Sequence, residues 1–278
     1  MLEKEREQYF DYTSVSISDA EYLAYKKLIY EVAGISLHDK KKPLLTGRLS
    51  KRLRFHSIKT YTEYLELVKQ NSHELQMMID LVSTNETSFF REEKHFEFLQ
   101  ELLPTMKNRV EPFRVWSAAC SSGQEAYTTA MVIDNVGVNF KWDIVGTDIS
   151  TRILAAARKA LYPINAADRI PREYLVKYCR KGVRDMTGTF LIDKNIRSKV
   201  KFEYINLNAE PWPNFGEFDV IFLRNVMIYF DAPTKNTLVN KMVERLKPGG
   251  YLFIGHSESL LGIKAKLKSV RPAIYQKK

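Results

Sequence analysis

Cysteine is scarce in this 278-residue chain: there are two, Cys120 and Cys179, far apart and with no second cysteine or histidine at metal-ligand spacing. That excludes a disulfide framework and a cysteine-based zinc site, and suits a reducing cytoplasm. Long apolar runs are missing as well. None approaches the roughly 20 residues of a membrane span, and the N-terminus, MLEKEREQYF, is charged where a secretory signal needs an apolar stretch. Export and membrane insertion are therefore not expected. Glycine is limited to 12 residues, and the G-x-G-x-x-G pattern that cradles a dinucleotide pyrophosphate is absent. There is no internal repeat or low-complexity tract.

What is present is core material and positive charge. With 45% hydrophobic and 27% charged residues, the chain has the composition of a soluble globular protein, long enough for one large domain and a smaller one. The net charge of +10 is unevenly spread. Residues 40–62 hold eight Lys or Arg and no acid, residues 177–201 eight against two acids, and residues 261–278 six against none. Such clusters attract nucleic acid, anionic lipid or an acidic protein, and composition does not choose among them.

After a polar leader over 1–17, Ser18 and Glu21 form a capping box, and an apolar helical pattern runs to Gly34. Pro43 opens a second helix whose apolar line, Leu45, Leu49 and Leu53, is flanked by Arg48, Lys51 and Arg52. Thr60 and Glu63 mark a third helix, and a fourth pattern runs from Leu75 to Val82. Residues 18–82 thus read as a small all-helical domain. From Phe113 onward, short apolar runs alternate with helices, which predicts βαβ units and a mainly parallel sheet. The expected strands are 113–118, 142–147, 200–205, 218–223 and 251–255, with Lys247-Pro248-Gly249-Gly250 turning into the last. Residues 163–199 break this rhythm with a helix over 171–178 and a hairpin turning near 185–188, and read as an inserted subdomain within a domain spanning 83–278.

The first expected strand ends in Trp116-Ser117-Ala118-Ala119-Cys120-Ser121-Ser122-Gly123, small residues that let a ligand approach the backbone. Asp148, at the end of the second strand, holds the place of the acid that takes ribose hydroxyls in doubly wound folds. Glu125 at the start of the following helix would repel a diphosphate and welcome an ammonium. S-adenosylmethionine, with ribose, adenine, an amino group and a sulfonium but no phosphate, fits these groups better than a dinucleotide. Asn225 and Tyr229, after the strand over 218–223, can present polar groups to the same pocket. Cys120 has no readable base partner and serves as filler. His256 invites a general-base reading but is taken as structural.

Five segments, T-N-E-T-S-F-F-R-E, V-W-S-A-A-C-S-S-G-Q-E, G-T-D-I, F-L-R-N-V-M-I-Y-F-D and L-K-P-G-G-Y-L-F-I-G-H-S-E, occur in this order. Together they resemble the CheR-type chemotaxis receptor methyltransferases, which esterify glutamate side chains of bacterial chemoreceptors with S-adenosylmethionine. The resemblance covers Ser18 to the C-terminus. It implies an α/β protein: a helical N-terminal domain that docks on the receptor, then a Rossmann-like S-adenosylmethionine methyltransferase domain with a small inserted β-hairpin subdomain that contacts the receptor. It implies cofactor contacts from Asn85, Thr87, Arg91, Glu125, Asp148, Asn206, Leu207, Arg224 and Asn225, with Arg91 and Tyr229 at positions associated with methyl transfer. Arg48, Lys51 and Arg52 form a basic stripe suited to an acidic receptor helix. Ala126 departs from the Pro common in the family, a change that touches only backbone preorganisation. No metal and no nucleic-acid partner are expected. The chain is expected to act as a cytoplasmic monomer recruited to membrane-bound receptors, and the tail over 264–278 as a solvated basic surface. A nucleic-acid methyltransferase would suit the charge, but Arg224-Asn225-Val226-Met227 stands where an Asn/Asp-Pro-Pro-aromatic motif would serve transfer to a base amine. A non-catalytic cofactor sensor has no use for Arg91 and Tyr229.

Overall fold

A computed structural model describes residues 12, 15–106 and 109–278. The leader expected over 1–17 lies largely outside the described residues. The chain divides into two compact units, Met1–Thr84 and Asn85–Lys278.

Among the described residues the first unit holds four α-helices: α1 (Asp19–Ala33), α2 (Lys42–Phe55), α3 (Tyr61–Gln70) and α4 (Ser72–Val82). Ser18 and Glu21 make the reciprocal capping box on α1, which stops at Gly34 with a left-handed φ of 71°. Thr60 caps α3 by accepting from the Glu63 N–H, while the Glu63 carboxylate takes the N–H of Lys59. Each helix turns one apolar face inward, with Tyr25, Ile29, Leu49, Leu53, Tyr64 and Val68 fully buried.

Inside this unit a carboxylate is buried too. Glu74, 2% exposed, accepts from Arg52 Nε at 2.8 Å, from a second Arg52 nitrogen, and from the Tyr64 hydroxyl at 2.7 Å. Burial by itself would raise its pKa; Arg52, Tyr64 and His56 outweigh that and bring it down to about 2. Arg48 donates to the carbonyls of Val82 (2.7 Å) and Ser83 (3.2 Å) and so closes the C-terminal end of α4. The basic stripe expected on α2 is therefore not open: Arg48 and Arg52 are taken up within the unit, and of the three cations Lys51 is the exposed one.

The second unit is an α/β domain. In chain order it contains α5 (Lys94–Leu102), β1 (Phe113–Ala118), α6 (Gln124–Val136), β2 (Trp142–Asp148), α7 (Thr151–Lys159), β3 (Leu161–Pro163), α8 (Arg172–Tyr178), β4 (Cys179–Lys181), β5 (Thr189–Ile192), the single turn α9 (Lys194–Arg197), β6 (Val200–Tyr204), β7 (Phe218–Leu223), α10 (Ala232–Glu244), β8 (Leu246–Ile254), β9 (Leu267–Arg271) and β10 (Ile274–Lys277). The main sheet runs β6-β2-β1-β7-β8-β10-β9; its first five strands are parallel, and β10 is antiparallel to both neighbours. Strand alternation serves both faces. Val115, Ile144, Val220, Phe222 and Phe253 join the core under α5, α6 and α7, while Trp116, Val145, Ile221, Leu223, Leu252 and Ile254 join the core under α10. Burial on both sides is why these strands read as continuous apolar runs.

The inserted segment forms its own antiparallel sheet, β3-β5-β4. Phe89 and Phe90 pack against it: the Phe89 ring lies 4.9 Å from Tyr162 and 5.8 Å from Phe190, and the Phe90 ring 4.9 Å from Tyr174. Three features depart from the sequence expectation. Helix α5 occupies a stretch with no helix assigned. Strand β8 starts at Leu246, before Lys247-Pro248-Gly249-Gly250, because Leu246 pairs with Phe218 and a bulge follows. The basic tail is not a plain solvated surface, since β9 and β10 extend the sheet and Ile274 is buried.

Replacing Arg52 with Met leaves Glu74 buried without its cationic partner and is expected to cost about 3 kcal/mol at pH 7. Because the folded-state pKa of Glu74 is depressed, the stability that it contributes is present above 4.5 and is lost as pH falls toward about 2. Urea unfolding of both proteins across that range checks this: a difference that does not shrink with acid would sink the assignment.

Candidate active site

The order of the main sheet reverses between β1 and β7, and the carboxyl ends of the strands at such a switch point form a crevice. The turn that leaves β1 there is tightly wound. Ala119 (φ 69°), Ser121 (φ 51°) and Gly123 (φ 89°) all have left-handed backbone, and a Cβ on Gly123 would come within 2.9 Å of the Phe202 ring. Cys120 N–H bonds the Thr147 carbonyl at 2.8 Å, tying the turn to β2. Asp148, 6% exposed, accepts from the N–H groups of Ser121 and Ser150, both at 2.9 Å, so its carboxylate is held at the crevice. Ser121 Oγ donates to the Asn85 carbonyl at 2.8 Å, and the Tyr162 hydroxyl to the Ser122 carbonyl at 2.7 Å. These bonds fix the segment from Asn85 and the inserted subdomain to the same turn. Burial, with Asp148 and Glu125 nearby, pushes the Cys120 thiol well up, so it carries no thiolate for attack.

A second network surrounds one guanidinium. Arg224, at the end of β7, has a side chain 2% exposed, and it donates to Glu125 Oε2 at 2.9 Å, to Glu92 Oε2 at 3.0 and 3.2 Å, and to the Arg91 carbonyl. Glu125, in the first turn of α6, also accepts from Ser117 Oγ at 2.6 Å. Burial raises the Glu125 carboxyl above its usual range, with Arg224 and Ser117 pulling the other way. For Glu92 burial acts upward too, but Arg224, the His256 N–H and Asn225 prevail and lower it. Asn225 Nδ2 reaches Glu92 Oε1 at 3.3 Å.

A third carboxylate works on backbone. Glu258 accepts from the N–H groups of Gly255 (2.7 Å), Asn225 (2.9 Å) and Met227 (2.8 Å), which joins the loop after β8 to the loop after β7. It holds Asn225 at a left-handed φ of 57° and starts the short 3₁₀ turn Met227–Tyr229. A Cβ on Gly255 would come within 2.5 Å of Asn225 Nδ2 and 2.9 Å of Glu258 Oε2, so any side chain there would displace one or both. Non-glycine residues with positive φ recur through this region, at Phe90, Glu92, Ala119, Ser121 and Asn225; such strain persists where surrounding bonds over-determine it.

The structure thus joins Arg91, Glu125, Arg224 and Asn225 in one bonded cluster, and Asn85 and Asp148 in another through Ser121. The carbonyl of Asp148 accepts from Ile205 N–H at 3.1 Å, which sets Asn206 and the buried Leu207 just beyond the carboxyl end of β6. Asn206 Oδ1 accepts from Asn208 N–H at 2.9 Å. Arg91 donates to the Glu86 carbonyl at 3.1 Å; Thr87 and Tyr229 are half-buried in the same unit. Arg48, Lys51 and Arg52 belong to the other unit. Sequence reasoning passed over Glu92, Glu258 and Ser117. The signal was within the motifs themselves, an acid directly after Arg91 and another three residues after Gly255, but only the fold shows what those acids hold.

Chemically the crevice offers fixed carboxylates rather than a cradle of free N–H groups. Glu125 at a helix start disfavours a phosphate, and Asp148 at the end of β2 suits vicinal hydroxyls. A cationic nucleoside fits this donor set.

Comparison with known proteins agrees. Residues 20–83 match the model of the CheR methyltransferase all-alpha domain, and residues 85–275 that of the CheR methyltransferase SAM binding domain. The chain is 39% identical over 276 residues to a chemotaxis protein methyltransferase of Borreliella burgdorferi, covering 95% of this chain and 96% of that one. It is 37% identical to a chemotaxis protein methyltransferase of Escherichia coli (88% and 86% covered) and 36% identical to chemotaxis protein methyltransferase 2 of Pseudomonas aeruginosa (90% of each). Among the described residues no helix is long and apolar enough to cross a membrane. The chain belongs to the CheR methyltransferase family.

Proposed function

We propose that this protein transfers the methyl group of S-adenosylmethionine to glutamate side chains of bacterial chemoreceptors, forming methyl esters for chemotactic adaptation. The observation that carries the reading is the pair of carboxylates at the switch point, half-buried Glu125 and buried Asp148, beside a turn with no phosphate cradle. Asp148 would take the ribose hydroxyls, charged hydrogen bonds worth about 1.5–3 kcal/mol each. Glu125, set by Ser117 and Arg224, would take the amino group, and Asn85, Thr87, Arg91, Asn206, Leu207, Arg224 and Asn225 would complete the contacts.

When bound, S-adenosylmethionine supplies an electrophilic methyl on its sulfonium. A glutamate side chain, with a reference pKa near 4.3, is already an oxyanion at neutral pH, so this chain need supply no base. His256 and Cys120 have no proton to remove. The work left to the protein is orientation, which accounts for about 7–11 kcal/mol of barrier in well-aligned systems. Arg91 and Tyr229, on the two loops joined by the Arg224 cluster and the Glu258 clamp, would hold the incoming carboxylate in line. The inserted subdomain would help to hold the receptor, and the chain would act as a monomer in the cytoplasm, recruited to receptors in the membrane.

Docking of an acidic receptor helix would fall to the cations of the 40–62 cluster that remain exposed. These are Lys40, Lys41, Lys51, Arg54 and Lys59.

Four outcomes test this reading. Incubation with labelled S-adenosylmethionine and receptor-containing membranes should place label on receptor that alkali releases as methanol; an alkali-stable product or no transfer would refute it. In the same assay Arg91→Ala and Tyr229→Phe should each lower turnover by about 10²-fold, and wild-type turnover with normal cofactor binding would remove them from the mechanism. In Glu258→Gln the new amide must point its N–H groups at a backbone N–H that the carboxylate now satisfies. We expect kcat to drop on the order of 10–100-fold with the receptor KM unchanged; a rise in KM alone would place Glu258 in docking instead. The double variant Lys51→Glu/Arg54→Glu should raise the receptor KM, more so at low salt, and leave cofactor affinity untouched. Loss of cofactor affinity would show damage to the fold.

A further inference from the structure

One buried side chain next to the Arg224 cluster has no task in this chemistry. His95, on α5, is 0% exposed, and neither of its ring nitrogens has a hydrogen-bond partner. A buried unsatisfied polar group is costly and needs an explanation. Its Nδ1 lies 3.5 Å from Glu92 Oε2, and its ring centroid 4.9 Å from that of His256, which is exposed and arrives from the loop after β8. One ligand atom from each of Glu92, His95 and His256 lies within 4.8 Å of the other two.

Two imidazole nitrogens and one carboxylate oxygen are a donor set suited to Zn²⁺, with a fourth position left for water. Ligand atoms around a tetrahedral ion at about 2.0–2.1 Å stand about 3.3 Å apart. Closing from the present spacing asks for a small inward rotation, which the exposed His256 side chain can make. We propose that Glu92, His95 and His256 bind a Zn²⁺ ion, and that its binding switches methyl transfer off by drawing Glu92 away from Arg224 and Asn225. The Arg224 guanidinium, 3.0 Å from Glu92 Oε2, opposes a dication at this spot. That makes the metal a reversible inhibitor and not a structural part. The inhibition rests on the proposed function of the site; the binding does not.

Co²⁺ is the probe, because its visible absorption reports tetrahedral coordination. The full chain should bind one equivalent with no sulfur-to-cobalt charge-transfer band, and His256→Ala and Glu92→Gln should each weaken binding by about tenfold or more. Zn²⁺ should inhibit the wild type, while His256→Ala, altered only at an exposed side chain, transfers methyl groups and resists inhibition. Unchanged Co²⁺ affinity in His256→Ala, or a sulfur band from Cys120 or Cys179, would overturn the site. Site-specific binding without inhibition would overturn the switch. Co²⁺ binding by a chain that binds no S-adenosylmethionine would count for the metal site and against the proposed function.

Discussion

The geometry of the crevice depends on the Arg224 guanidinium. A buried cation is tolerated only when paired and hydrogen-bonded, and Arg224 meets that demand with two carboxylates and a carbonyl drawn from two other stretches of chain. Glu92 comes from the segment before α5, Glu125 from the start of α6, and Arg224 itself from the end of β7. Each partner is satisfied by the same group, so no loop can move without exposing an unpaired buried charge. The network therefore does by electrostatics what an apolar core cannot do at the polar edge of a sheet.

Glu258 extends the same logic from side chains to backbone. One carboxylate collects three N–H groups that no sheet ladder reaches, and so fixes the left-handed Asn225 and the turn that carries Tyr229. Asp148 does likewise for the turn after β1. A reaction whose nucleophile is already ionised gains little from a base and much from such fixed placement. In this reading the acids of the crevice are positioning groups, and that is why each is held by several hydrogen bonds.

The net charge of +10 acquires three different meanings once folded. On α2 two of the arginines turn inward, Arg52 to Glu74 and Arg48 to the end of α4, while Lys51 and Arg54 face solvent. In the tail, Lys268 and Arg271 lie exposed on β9, the edge strand of the main sheet, where charge discourages pairing with another chain. The same residue types thus hold a fold together, protect an edge and present a surface.

Much of this was legible in advance. Apolar periodicity and local caps, such as Ser18 with Glu21, act over three or four residues, so the sequence could reveal the first helical unit and the parallel strands that follow it. The motif residues Asp148 and Asn225 could be marked because they stand where a strand pattern ends, and Glu125 because it opens the helix after the first strand. Tertiary structure alone decided what lies far apart in the chain: that Arg52 answers Glu74 and is not an open cation, that the tail pairs with β8 instead of resting in solvent, and that Glu92 meets Arg224 across 132 positions. A sequence records local propensity residue by residue, whereas the pairing of buried charges and the docking of edge strands are set by which surfaces the fold brings together.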